Sequence, residues 1–170
     1  MPLQKVTTAY LRLSRKIPIF LCTALRLQLI CNRYNVEQLT ALVRAAENKR
    51  SPLILLLFPS TLKQLPWLVW AVAAAVKNAT VPLSMHLDHA QDEDQIREVA
   101  NTLPFDSIMV DMSHHDHEEN LARTKVLTRL CQQNGIAVEA ETGRISGGED
   151  GIADTGDLEG TSFAPCSIAI

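Results

Sequence analysis

Short apolar runs return along this chain at intervals that leave room for one helix between neighbours. Residues 27–30, 53–58, 83–87, 107–110 and 136–138 are rich in isoleucine, leucine and valine, and each is too short for an ordinary helix. A near-continuous apolar run of that length reads as a strand buried on both faces. The segments between them carry helical spacing instead. Val36, Leu39, Val43 and Ala46 recur at three and four, and Asn35 with Gln38 resembles a capping box. Ser60 or Thr61 is expected to open a second helix through Trp67, Trp70, Ala71 and Ala74 to about Asn78. Asp92 caps a third, with Gln95 at its N3 position and Ile96, Val99 and Ala100 facing inward. A fourth runs through Leu121, Leu127 and Leu130 and stops at Asn134-Gly135. Strand and helix alternate, so the fold class is α/β, a parallel sheet with outer helices. A doubly wound open sheet and a (β/α)8 barrel both satisfy that order. No glycine-rich phosphate fingerprint follows the first strand, which weakens a dinucleotide-binding version of the former. Periodicity leaves the choice open.

A chain of 170 residues fits one domain with a real core. With 46% hydrophobic and 21% charged residues it has the make-up of a soluble globular protein. The net charge of -3, without a basic face and interleaved aromatics, argues against nucleic acid as a partner. Cys22, Cys31, Cys131 and Cys166 are scattered, form no CxxC pair, and read as reduced thiols in a cytoplasmic protein. The first carboxylate is Glu37, preceded by Lys5, Arg12, Arg15, Lys16, Arg26 and Arg33. An acid-free, arginine-containing start is compatible with a mitochondrial transit peptide, and equally with an irregular first helix and strand. Its apolar stretch 17–25 is too short to span a bilayer, and no membrane partner is expected.

Chemistry-bearing residues gather where the apolar runs end. The third run leads into His86-Leu87-Asp88-His89, the fourth into Asp111, Ser113, His114 and His115, and the fifth into Glu139-Ala140-Glu141 and a loop with Gly147-Gly148-Glu149-Asp150. The carboxyl ends of parallel strands open onto one rim, where active sites form. Imidazole and carboxylate together suit zinc or a related divalent ion. Any one of these residues alone is as readily a helix cap or a hydrogen-bonded core histidine; their placement at three successive strand ends points to a site. On a regular strand His86 and Asp88 share one face and Leu87 and His89 the other, so Asp88 and His89 serve one site only if the chain turns there.

Four ordered segments resemble the class II fructose-bisphosphate and tagatose-bisphosphate aldolases. They are His86-Leu87-Asp88-His89; the stretch from Ser107 to Ser113 with Glu118-Glu119-Asn120; Val138-Glu139-Ala140-Glu141-Thr142-Gly143-Arg144 with Gly147-Gly148-Glu149-Asp150-Gly151; and Asn32-Arg33-Tyr34-Asn35-Val36-Glu37. The resemblance implies a (β/α)8 barrel, of which this chain would hold about five strands, and a lyase of carbohydrate metabolism. Such an enzyme reversibly cleaves a phosphorylated ketose, fructose 1,6-bisphosphate, to dihydroxyacetone phosphate and glyceraldehyde 3-phosphate, with zinc as Lewis acid. Carried across, Asp88 is the acid/base, His89 a ligand of the catalytic zinc, and Asp111 and Glu141 ligands of a second zinc. Glu149 exchanges a proton with the dihydroxyacetone phosphate carbon, Asn35 lies on the substrate side, and Ser60 is a weaker candidate for a phosphate contact.

The resemblance divides the chain into a divergent segment 1–30, a partial barrel 31–160 and an unrelated tail 161–170. A whole barrel needs about 250 residues, so the chain reads as truncated. All five histidines lie between His86 and His117, and the two further zinc histidines of the family have no counterpart. On its own the chain is therefore expected to be a poor aldolase. A homodimer, or pairing of an open sheet edge with a full-length subunit, is the expected assembly. The competing functions are a catalytically dead fragment that works by binding such a subunit, and another metal-dependent barrel enzyme using His86, Asp88 and Asp111.

Overall fold

A computed structural model of the chain describes residues 35–141. The predicted strand at 27–30, Glu149, and the segments 1–30 and 161–170 lie outside the described residues. Helix α1 (Val36–Lys49) opens on Asn35, whose side chain accepts a hydrogen bond from the Gln38 amide at 2.8 Å. That bond satisfies one of the amides a helix leaves unpaired at its start. Strand β1 (Leu53–Leu57) follows, then α2 (Pro59–Gln64) and α3 (Pro66–Asn78). Strand β2 (Leu83–Ala90) leads to α4 (Glu93–Thr102), capped by Asp92, and β3 (Ser107–Val110) to α5 (His117–Gln133), capped by Asp116. Strand β4 (Ala137–Ala140) ends the described chain.

The sequence reading needs correction between 58 and 78. Neither Ser60 nor Thr61 caps a helix there. Phe58 holds the cap position in extended backbone without a side-chain bond, and Pro59 starts the helix. Proline has no amide hydrogen to leave unsatisfied and its φ is already helical, so it begins a helix without help from a cap. The expected single helix is also two, because Pro66 drives Leu65 out of the helical region to φ −136°, ψ 59°. Trp67 and Trp70 lie on the exposed side of α3, with Leu68, Val69 and Val72 buried. Apolar residues surround that helix, so its sequence does not say which side meets the sheet.

All described strand pairs are parallel, in the order β1-β2-β3-β4. Each new strand joins the last, with no reversal of direction. Consecutive order is how a barrel grows, whereas a doubly wound sheet reverses at a switch point. The architecture left open by periodicity is thus settled in favour of a partial barrel. Met85, Leu87, Ile108, Val110 and Val138 join Leu68, Val69, Ile96, Val99, Leu127 and Cys131 in one apolar cluster against the helices. The opposite face of the sheet follows from alternation. Register places His86 beside Leu56 and Ser107, and Met109 beside Glu139. Ser84, His86, Asp88, Ser107 and Glu139 therefore share the face turned away from the helices, the side that a closed barrel encloses.

Candidate active site

One irregularity in the sheet arranges the site. The β2–β3 register shifts between Leu87 and Ala90, and within that stretch His89 has φ 47°. A residue added to one strand makes a bulge, and histidine is among the few non-glycine residues that enter the left-handed region with any frequency. The strand thus turns where adjacent side chains would otherwise point apart. Asp88 stays beside His86, its Oδ1 3.7 Å from the His86 Nε2. His89 reaches the next strand end, with its Nδ1 3.0 Å from Asp111 Oδ2. Since Asp111 belongs by alternation to the same face as Ser107 and Met109, both groups serve one side of the sheet.

Asp111 is 2% exposed and heavily hydrogen-bonded. Its Oδ1 accepts from the Ser113 amide at 3.1 Å and hydroxyl at 2.6 Å; its Oδ2 accepts from Gln91 at 3.1 Å as well as from His89. Burial alone would raise its pKa, but the bonds from His89, Ser113 and Gln91 outweigh that and hold it at about 2. An ionised carboxylate only accepts, so the proton of this pair sits on the His89 Nδ1, which in a neutral ring leaves the lone pair on Nε2. Metal-binding histidines are commonly held by a carboxylate in this way.

The same bonds make a stability prediction. The Asp111 carboxyl is depressed in the folded chain relative to its ordinary value of 3.8. Its contribution, on the order of 2 kcal/mol, is therefore present above about pH 4 and lost as pH falls from about 4 towards 2. Urea unfolding between pH 6 and pH 2 should show this slope in the wild type and a flatter one in Asp111→Asn.

The carboxyl end of β4 is tied down from two sides. The Glu141 amide donates to the Val110 carbonyl at 3.4 Å, and Asn120 of α5 donates to the Glu141 carbonyl at 3.0 Å. Asn35 is engaged as the α1 cap, and Ser60 sits in the first turn of α2. Among the described residues, no three histidine, cysteine, aspartate or glutamate side chains converge closely enough to hold a metal ion. His89 with its Asp111 partner fits the chemistry of one zinc ligand; a complete metal site is not formed by the described residues alone. Ser107, Glu139 and Gln91 received no role from the sequence reading, and His86 received one only in the competing metal-dependent barrel. Their signals were present, in the shared parity of His86 and Asp88 and in polar residues interrupting apolar strands.

Comparison with known proteins bears directly on this arrangement. The family model for class-II fructose-bisphosphate aldolase matches residues 29–165. The chain belongs to that family. A Coccidioides immitis protein that carries the name fructose-bisphosphate aldolase is 50% identical over 140 residues, covering 78% of this chain and 46% of the relative. A Bacillus subtilis relative of the same name is 34% identical over 131 residues, covering 74% of this chain and 45% of its own length. A crystal structure from Coccidioides immitis, described as a fructose-1,6-bisphosphate aldolase, superposes with a TM-score of 0.71 at 53% identity, over 75% of this chain and 45% of that one. The YdjI aldolase of Escherichia coli gives a TM-score of 0.59 at 31% identity, over 64% of this chain and 42% of its own. This class II aldolase chain spans about half the length of the relatives it matches.

Proposed function

We propose that the chain carries the acid/base half of a zinc-dependent site for reversible aldol cleavage of a ketose 1,6-bisphosphate, fructose 1,6-bisphosphate being the substrate that the relatives' names point to. The observation that carries this reading is the bulge at Leu87–Ala90. It brings a buried carboxylate, Asp88, and a carboxylate-held imidazole, His89, to the same strand end from adjacent positions. Asp88 is the group that accepts the hydroxyl proton as the carbon–carbon bond breaks, and its low exposure keeps water from competing for that proton. His89 presents Nε2 to the metal, with Asp111 fixing the ring. Zinc, when bound, supplies charge stabilisation at the substrate carbonyl. The resemblance assigns Glu141 and Asp111 to a second zinc. The four hydrogen bonds already on Asp111 favour its service to His89 instead.

One family zinc histidine where three protein ligands are usual makes the chain by itself a weak zinc binder and a poor catalyst. The test joins it, in frame, to the carboxyl-terminal half of the Coccidioides immitis relative, whose amino-terminal half it matches at 50% identity. The joined protein should cleave fructose 1,6-bisphosphate, lose that activity to a chelator and regain it with zinc, while the unjoined chain shows little turnover. A folded, zinc-loaded joined protein without cleavage would sink the proposal.

A further inference from the structure

His86 is the one residue of the His86–His89 run, apart from the apolar Leu87, that the reading above leaves idle, and its surroundings are unusual for a core histidine. The ring is 1% exposed and lies on the enclosed face of the sheet. Its Nδ1 is 2.8 Å from the Ser107 Oγ of β3. Its Nε2 is 3.7 Å from Asp88 Oδ1 on its own strand and 3.7 Å from Glu139 Oε2 on β4. Three neighbouring strands thus converge on one imidazole, with a hydroxyl on one side and two carboxylates on the other.

Of the two neutral forms of the ring, the donor inventory selects one. A hydroxyl both donates and accepts, whereas ionised carboxylates only accept. With the proton on Nδ1, the Nε2 lone pair would face two carboxylates. With the proton on Nε2 and Ser107 donating to Nδ1, every pole meets its opposite. Two carboxylates that share a neighbour also repel each other and tend to splay. An N–H equidistant from both opposes that. At 3.7 Å the contact is longer than a hydrogen bond, so its effect is to orient the carboxylates through their charge rather than to lock them in a bond.

We propose that His86 is a positioning residue. Held by Ser107 in the Nε2–H form, it sits between Asp88 and Glu139 and fixes the Asp88 carboxylate for proton transfer. This role rests on the aldolase reading and adds to it the residue that aims its acid/base.

Two measurements test it. In the full chain labelled with nitrogen-15 histidine, long-range proton–nitrogen spectra at neutral pH report which ring nitrogen carries the proton. Nε2–H is expected for His86, with a shift towards a mixed tautomer in Ser107→Ala; a wild-type ring protonated on Nδ1, alone or together with Nε2, overturns the proposal. In the joined protein, His86→Leu should lower kcat roughly ten- to a hundredfold, the scale of a misplaced reacting group, with KM little changed. His86→Gln, which returns an N–H near the Nε2 position, should recover much of the loss. If His86→Leu does not fold, Ser107→Ala supplies the same pair of readings with the imidazole in place. A joined protein that does not cleave sinks the aldolase reading and this role with it. One that cleaves equally well with leucine at 86 sinks this role alone.

Discussion

Replacing Asp88 by alanine in the joined protein should lower kcat for fructose 1,6-bisphosphate by a hundredfold to ten-thousandfold, the range typical of a removed general acid or base. Zinc content should be unchanged, because Asp88 is not among the proposed ligands. The reason for so large an effect is local. Asp88 is 6% exposed, so bulk water is poorly placed to take over the proton. KM should move far less than kcat, since the carboxylate acts on a proton that leaves only as the bond breaks. Steady-state kinetics with metal analysis on the same preparations check all three statements. His89→Ala should show the opposite pattern, with lost zinc and activity partly restored by excess metal. Equal zinc content in His89→Ala and wild type would remove His89 from the ligand set.

Truncating Leu127 should produce the largest loss of stability, about 2–5 kcal/mol by the usual cost of a leucine-to-alanine change in a core. Leu127 is fully buried in the apolar cluster of the helix-facing side, with Cys131 one turn later and equally buried. The cost combines lost transfer energy with a cavity that rigid neighbours cannot close. Net stabilities of domains are only about 5–15 kcal/mol, so the change should visibly shift a urea midpoint. Leu121 on the same helix is the control. It is 47% exposed, and Leu121→Ala should move stability by less than about 0.5 kcal/mol. Similar losses at the two positions would mean that α5 packs with a different face than described.

Much of the scaffold is legible in the residues because the deciding signals are local. Asn35 and Asp92 cap the helices that their own sequences announce, and the runs at 53–58, 83–87, 107–110 and 136–138 give strands within a few residues. The break at Leu65 is also written in the sequence, in Pro66, which the reading of one helix from Ser60 or Thr61 to about Asn78 passed over. Asp116 followed by Glu119 carries the spacing of a capping box and caps α5 as that spacing implies, an assignment the helical pattern alone had not made. The burial of Leu127 and the exposure of Leu121 agree with helical spacing, since six residues turn a helix by about 240° and the buried stripe of α5 is Asn120, Thr124, Leu127 and Cys131.

The candidate site divides along the same line. That Asp88, His89 and Asp111 lie at strand ends follows from counting residues. That His89 pairs with Asp111 does not, because the left-handed backbone at 89 is imposed by pairing with β3 and has no glycine to mark it. The His86–Ser107–Glu139 grouping likewise depends on register among three strands, which no single segment encodes.

The extra residue in the 87–90 stretch also bears on how this sheet tolerates change. Strict pleating assigns successive residues to opposite walls, so a strand without the insertion could lend only one of two neighbours to an enclosed basin. Deleting one residue there would restore that strict alternation and send either the imidazole or the acid into the oily layer beneath the helices. Length at this point is consequently as much a part of the chemistry as the identity of the side chains, and a transplanted version of the motif has to carry its irregular backbone with it.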